Sequence, residues 1–340
     1  MSDVPVAVIG GGVVGVAVAW ALAQRDVRSV VLEARDGLGQ AASGTNSGIL
    51  HTGFDSVPGE LETRLILRSA ELRGPVLERL GVPVVRCGAE LVPHDDEERA
   101  TVADLARNAE RNGVEASVRA DGALDVPGEA VTDAVAYTRA LAEDSGAEVR
   151  MRSRVEAIEE DDSGLVLRVA GAGAVRCGVA VNCAGLYADD VARLVGDDSF
   201  AVYPRKGEFF LFDAPDGERL ERILLPVPTK RTKGVLVFPR LDGRVAAGPT
   251  AVDLDDKEDW SVRSEARDEV VTKAAALLPW LARAEPVGAW AGLRPAGRGV
   301  NYVIGPSRAC PRLINVAAIR STGLSASLGI GEHVAGLVAA

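Results

Sequence analysis

VPVAVIGGGVVGVAVAWALAQRDVRSVVLE, residues 4–33, decides the fold. Val4–Ile9 is a short apolar, β-branched run that stops at glycine, the pattern of a buried parallel strand. Val13–Ala23 carries helical spacing at Val14, Val18 and Leu22 and ends at Arg25–Asp26. Ser29–Leu32 is a second apolar run, closed by Glu33, so the stretch reads as a βαβ unit. Gly10, Gly12 and Gly15 stand at GxGxxG spacing between strand and helix. The first glycine makes the tight turn, the second admits a pyrophosphate to the backbone, and the third lets helix pack on strand. The helix N-terminus then faces the phosphate charge, and Glu33 is placed to accept from a ribose diol. An empty glycine turn needs no such acid. The unit predicts a bound dinucleotide.

FAD rather than NAD follows from what comes next. Ala42–Gly53 (ASGTNSGILHTG) is rich in small residues and backbone amides, suited to wrapping an isoalloxazine and its ribityl chain. Long ordered loops of this kind are often functional. Val181–Asp189 (VNCAGLYAD) brings another strand end and glycine, and Arg320–Ser325 (RSTGLS) opens the last predicted helix, Leu324–Val338, with small residues. Such a helix N-terminus stabilises negative charge on a flavin edge. The expected cofactor contacts are Gly10, Gly12, Val14 and Gly15 at the turn, and Glu33, Ala34 and Arg35 after the second strand. Ser43, Thr45, Asn46, Ser47 and Gly48 join them from the loop, with Val155, Ala184 and Gly185 at later strand ends. Thr322, Gly323, Leu324 and Ser325 complete the set at the last helix.

Around this core, the 340 residues suit two domains sharing one chain. The fold class expected is α/β (α+β): a Rossmann-like FAD-binding domain with a substrate domain built mainly on an antiparallel sheet. The first would take residues 1–80, 130–199 and 290–340; the second, where short runs alternate with Pro, Gly and charge, residues 81–129 and 200–289. Thr132–Glu143 reads as a helix begun by Thr132 or Asp133, and Glu148–Glu156 as one strand. A net charge of −11 argues against nucleic acid, which asks for a basic stripe. The four cysteines show no CxxC spacing, so no metal site is expected and a reducing, cytoplasmic setting is. No stretch approaches the roughly 20 apolar residues of a spanning helix. Peripheral membrane contact stays open.

Four stretches carry a family resemblance: NSGILHTGFDSVPGEL (46–61), YPRKGEFFLFD (203–213), KGVLVFPRLDGRVAAGPTAVDLDD (233–256) and WAGLRPAGRGVNYVIG (290–305). With the glycine fingerprint they make the chain resemble, from end to end, the D-amino-acid-oxidase-like FAD-dependent oxidoreductases. Within them it is most similar to the branch of glycerol-3-phosphate dehydrogenases of the anaerobic A-subunit type, with L-2-hydroxyglutarate oxidases as near cousins. Many relatives in this branch continue into a domain with iron–sulfur cysteines. This sequence ends at Ala340 without one, so quinone-linked membrane activity is not expected of it.

The resemblance implies roles. A histidine at the place of His51 lies against the flavin in relatives and anchors it covalently in some. His51 is therefore read as proton acceptor or as flavin partner, an imidazole being suited to base catalysis near neutral pH. His94 reads as solvated and His333 as a packing or surface residue. Arg294, in the GLRP motif, is expected to hold the substrate anion through two parallel hydrogen bonds. Lys233, then Arg205 and Lys206, are further candidates for the anion. Phe54, Tyr203, Phe209 and Tyr302 are candidate pocket walls. The reaction implied is oxidation of a small anionic 2-hydroxy compound, glycerol 3-phosphate or a 2-hydroxy acid such as L-2-hydroxyglutarate, by hydride transfer to flavin N5. A glycine-oxidase-type amine or amino-acid oxidase is the alternative, as is a flavin subunit of a larger electron-transfer complex. Oxygen, a quinone or a partner protein would reoxidise the cofactor.

Overall fold

The first strand, Ser2–Ile9, pairs in parallel with Ser29–Leu32 on one side and with Gly173–Asn182 on the other. The structure, a computed structural model, describes residues 2–171, 173–229 and 234–339. The helix Val13–Ala23 crosses between the first two strands, as its sequence predicts. It is apolar all round because it is covered all round: it lies among the sheet, the helix Ala134–Ser145 and the last helix, Gly323–Ala339. Val16, Ala17, Val18 and Leu22 are fully buried there. Glu148–Arg150 and Leu313–Ala317 extend the parallel array on its two flanks. Val155–Asp161, Gly164–Val169 and Val303–Pro306 add antiparallel strands, giving a sheet of eight strands among the described residues.

Among the described residues the second sheet has nine strands, and the one parallel pair is Ile223–Leu225 beside Ala89–Leu91. Its longest member, Val202–Phe212, pairs along its length with Gly288–Gly297. A third, small sheet joins Ile49–Leu50, Ala130–Thr132 and Val84–Val85. The α/β class with a second, antiparallel sheet is therefore what the chain adopts.

Two details depart from the sequence reading. The expected boundary at residue 290 falls inside the strand Gly288–Gly297, which belongs to the antiparallel sheet over its whole length. A domain division there would break a continuous ladder. The single strand expected over 148–156 is two, Glu148–Arg150 and Val155–Asp161, in different places in the sheet. Arg152 between them has φ +53°, which turns the chain, and its N–H goes to the Arg35 carbonyl at 2.8 Å.

The helices Asp96–Arg111 and Ala134–Ser145 start at capping aspartates. Asp133, rather than Thr132, is the cap of Ala134–Ser145: its Oδ1 accepts from the N–H groups of Val135 and Ala136, both at 2.9 Å. Asp133→Ala should lower stability by about 1 kcal/mol in urea unfolding, while Asp133→Asn stays within roughly 0.5 kcal/mol of the parent. An unchanged midpoint for Asp133→Ala would show that this cap contributes nothing.

Candidate active site

Between the C-terminal ends of the parallel strands and one face of the antiparallel sheet lies a cavity of about 1270 Å³. Open α/β sheets bind ligands at this end of their strands. The glycine turn forms its floor. Gly10 has φ +110°, and a Cβ there would lie 2.4 Å from the Cys183 carbonyl oxygen. A Cβ on Gly15 would lie 2.0 Å from the Gly10 oxygen, so the helix can meet the strand only without one. Gly12 caps the helix, and the next N–H, of Val13, is taken by Ser43 Oγ at 2.9 Å. Glu33 Oε2 accepts from Gly11 N at 2.6 Å and Oε1 from Arg35 N at 2.8 Å. Each oxygen keeps a further lone pair for a diol.

The loop after the second strand is ordered because its own polar groups are paired. Asn46 donates to the Ser43 carbonyl at 2.8 Å and accepts from Gly48 N at 2.7 Å. The antiparallel sheet holds it from the far side: Trp290 Nε1 donates to the Thr45 carbonyl at 3.0 Å, and Arg240 Nη1 to the Ser47 carbonyl at 3.4 Å. The loop thus spans the cavity between the sheets.

Most of the residues expected at the cofactor line this cavity: Gly10, Gly12, Val14, Glu33, Ala34, Arg35, Ser43, Thr45, Asn46, Ser47, Val155, Ala184, Gly185, Thr322, Gly323 and Leu324. Three do not. Gly15 packs beneath the turn. Gly48, at φ +78°, turns the loop and accepts from Thr132 N at 2.8 Å. Ser325 is buried and fixes the backbone of His51, its Oγ accepting from His51 N at 2.8 Å. At the outer end of the cavity, beyond Glu33, the Tyr187 hydroxyl bonds Glu258, and burial with that carboxylate pushes its pKa up to about 12.

Among the residues expected to act on substrate, His51 and Arg294 both reach the cavity. Arg294 lies opposite Arg205 across the ladder, and Gly207 beside it leaves room for its side chain, since a Cβ there would lie 3.0 Å from Arg294 Nη2. Its Nε donates to the Arg205 carbonyl at 3.0 Å, and Nη2 to the carbonyls of Lys206 and Thr250 at 3.0 and 2.8 Å. Nη1 has no hydrogen-bond partner among the described residues. Burial lowers the Arg294 pKa to about 10, with neighbouring Arg205 adding to the effect. Arg205 lines the cavity and pairs with Asp253 at 3.2 Å. Lys206 is corrected: it is fully buried on the other face of its strand, bonded to Asp259 at 2.8 Å and the Ser261 carbonyl at 2.9 Å, and reaches no substrate. Lys233 lies outside the described residues. Phe54, Tyr203 and Phe209 wall the cavity. Tyr302 stands behind it, bonded to Thr322 Oγ1 at 2.8 Å. His94 is exposed and His333 half-buried on the last helix, as read.

Sequence reasoning missed Glu129 and Arg73. Glu129 has no exposed side-chain surface; its Oε2 lies 2.8 Å from His51 Nδ1. Buried Arg73 donates to the carbonyl of His51 at 2.8 Å, and desolvation lowers its pKa. The surrounding stretch LDVPGEAVT, residues 124–132, holds two acids, Asp125 and Glu129, and nothing in it marks Glu129 for His51.

The glycine cradle, the helix N-terminus and the acid at the second strand fit a dinucleotide, and a family model described as FAD dependent oxidoreductase matches residues 5–337. The chain belongs to this family of FAD-dependent oxidoreductases. It is 29% identical to a glycerol 3-phosphate dehydrogenase of Caloramator mitchellensis over 97% of this chain and 72% of the relative. It is 26% identical to the L-2-hydroxyglutarate dehydrogenase of Escherichia coli strain K12, over 72% of this chain and 63% of that protein. The solved structure of dithionite-reduced L-alpha-glycerophosphate oxidase from Mycoplasma pneumoniae with FAD bound superposes with a TM-score of 0.92 at 25% identity, covering 100% of this chain and 96% of that one. Among the described residues no helix is long and apolar enough to cross a membrane, and no cluster of metal-ligating side chains occurs.

Gly15→Ala should therefore yield protein without flavin absorbance, because its methyl group meets the Gly10 carbonyl. Gly74→Ala, in a helix with open space around the added carbon, should stay yellow. Full flavin content in Gly15→Ala would refute this reading of the turn.

Proposed function

We propose that this protein oxidises the hydroxyl-bearing carbon of a small anionic 2-hydroxy compound, glycerol 3-phosphate first and a 2-hydroxy acid such as L-2-hydroxyglutarate second. The observation that carries this reading is that His51 and Arg294 open onto the same cavity as the glycine turn and the loop at 41–47. The named activities of the similar proteins support it.

The glycine turn and the first residues of Val13–Ala23 would hold the pyrophosphate, Glu33 the adenosine ribose, and the loop with Thr322–Leu324 the isoalloxazine end. When bound, FAD would supply the two-electron acceptor for the oxidation. The rest falls to side chains. His51 accepts the hydroxyl proton at Nε2, its one ring nitrogen not facing Glu129. Arg294 offers the protons on Nη1 to the substrate anion, and its three carbonyl contacts fix the direction in which they point. Phe54 and Phe209 exclude water from that end of the cavity.

Anaerobic protein in separate cuvettes with glycerol 3-phosphate, L-2-hydroxyglutarate and glycine tests the proposal. Bleaching of the flavin by one of the two hydroxy compounds is expected. Bleaching by glycine alone would replace the reading with an amine oxidase. Arg294→Lys should raise KM roughly tenfold, the loss of ~1.4 kcal/mol from a charge-assisted contact, with a smaller effect on kcat. An unchanged KM would remove Arg294 from the substrate.

A further inference from the structure

The His51–Glu129 pair says which nitrogen of the histidine ring carries the proton. Glu129 Oε1 accepts from Thr52 N at 2.7 Å and from Thr52 Oγ1 at 2.9 Å, while Oε2 faces His51 Nδ1 at 2.8 Å. An ionised carboxylate only accepts, so the proton of that third contact belongs to Nδ1. The backbone of His51 is fixed on both sides as well. Ser325 Oγ takes its N–H, and buried Arg73 donates from Nη1 to its carbonyl and from Nη2 to the Leu50 carbonyl at 3.2 Å. Arg73 also places a buried cation whose charge attracts Glu129. Ring and backbone are held from separate elements: the helix Leu61–Arg79, the last helix, and the turn before Ala130–Thr132.

We propose that Glu129 is a positioning residue that holds His51 as the Nδ1–H tautomer, so that the Nε2 lone pair faces the substrate hydroxyl. This rests on the reading of His51 as the base. Which nitrogen is protonated is set by what the other one meets. Glu129→Gln makes the point sharply. Its amide oxygen stays with the two Thr52 donors, which leaves the NH2 group facing Nδ1. Nδ1 must then accept, Nε2 takes the proton, and a donor stands where the substrate needs an acceptor.

The chain has three histidines, His51, His94 and His333, so 15N-imidazole spectra of the holoenzyme resolve each ring. At a pH where its ring is neutral, His51 in the parent protein is expected as Nδ1–H. In Glu129→Gln it should appear as Nε2–H, with kcat lower by about 100-fold or more, KM within about twofold, and flavin content unchanged. An Nε2–H ring in the parent overturns the proposal, and that spectrum decides the matter even should the variant not fold. Full kcat in Glu129→Gln overturns it too. Full kcat in His51→Asn would instead remove the base reading, and this role with it, leaving the parent spectrum as predicted.

Discussion

The approach of the Gly15 backbone to the Gly10 carbonyl is the constraint on which the rest depends. At that separation no Cβ fits, and the first helix begins directly where the first strand ends. The N–H groups of the first turn therefore point into the cavity at the strand ends rather than away from it. Helix, strand and acid then form one anion- and diol-binding surface, held by two bonds from the backbone to Glu33. Its specificity is geometric: a helix starting two residues later would leave those N–H groups to water.

A cradle at the edge of one sheet makes only half a site. The second half comes from the antiparallel sheet, and the loop after the second strand fastens the two. Trp290 and Arg240 reach across to the carbonyls of Thr45 and Ser47. Each bond adds only about 1 kcal/mol net. Their larger effect is to satisfy loop carbonyls that would otherwise be desolvated without partners, since backbone polar groups away from water must be paired. The indole of Trp290 also stacks on Phe209 at 5.0 Å, so the same side chain backs a wall residue and anchors the loop.

The glycine turn, Glu33 and the small-residue loop were legible in the sequence because their meaning is local: spacing, residue size and position between strand and helix suffice. Ser325 was found for the wrong reason, its place at a helix start suggesting a cofactor contact where it serves His51. Glu129 was not legible, because it meets His51 across 78 residues and nothing in either neighbourhood points to the other. The break at Arg152 and the run of Gly288–Gly297 through an expected boundary were hidden likewise. Both follow from which strands become neighbours, and pairing partners are chosen by the whole sheet.

The strand Val202–Phe212 shows how an acidic chain can offer an anion a cationic face. Successive side chains alternate between faces, so Tyr203, Arg205, Gly207 and Phe209 look into the cavity while Lys206 and Glu208 look away. The two hidden charges are neutralised where they lie, Lys206 by Asp259 and Glu208 by Arg263 at 2.7 Å, with Thr250 adding a bond to Glu208. Pairing holds the Glu208 carboxyl below its usual range even though burial works against it. Neither pair projects much field into the cavity. The field there is set by side chains facing inward, Arg294 foremost, whose hydrogen-bond partners are neutral carbonyls that orient its charge without cancelling it. A net charge of −11 spread over the surface is screened within about 10 Å at moderate salt, whereas a buried guanidinium a few ångströms from its ligand is not. The sign that a small anion meets is therefore decided by the strand register that places Arg294, and the composition of the chain has little say in it.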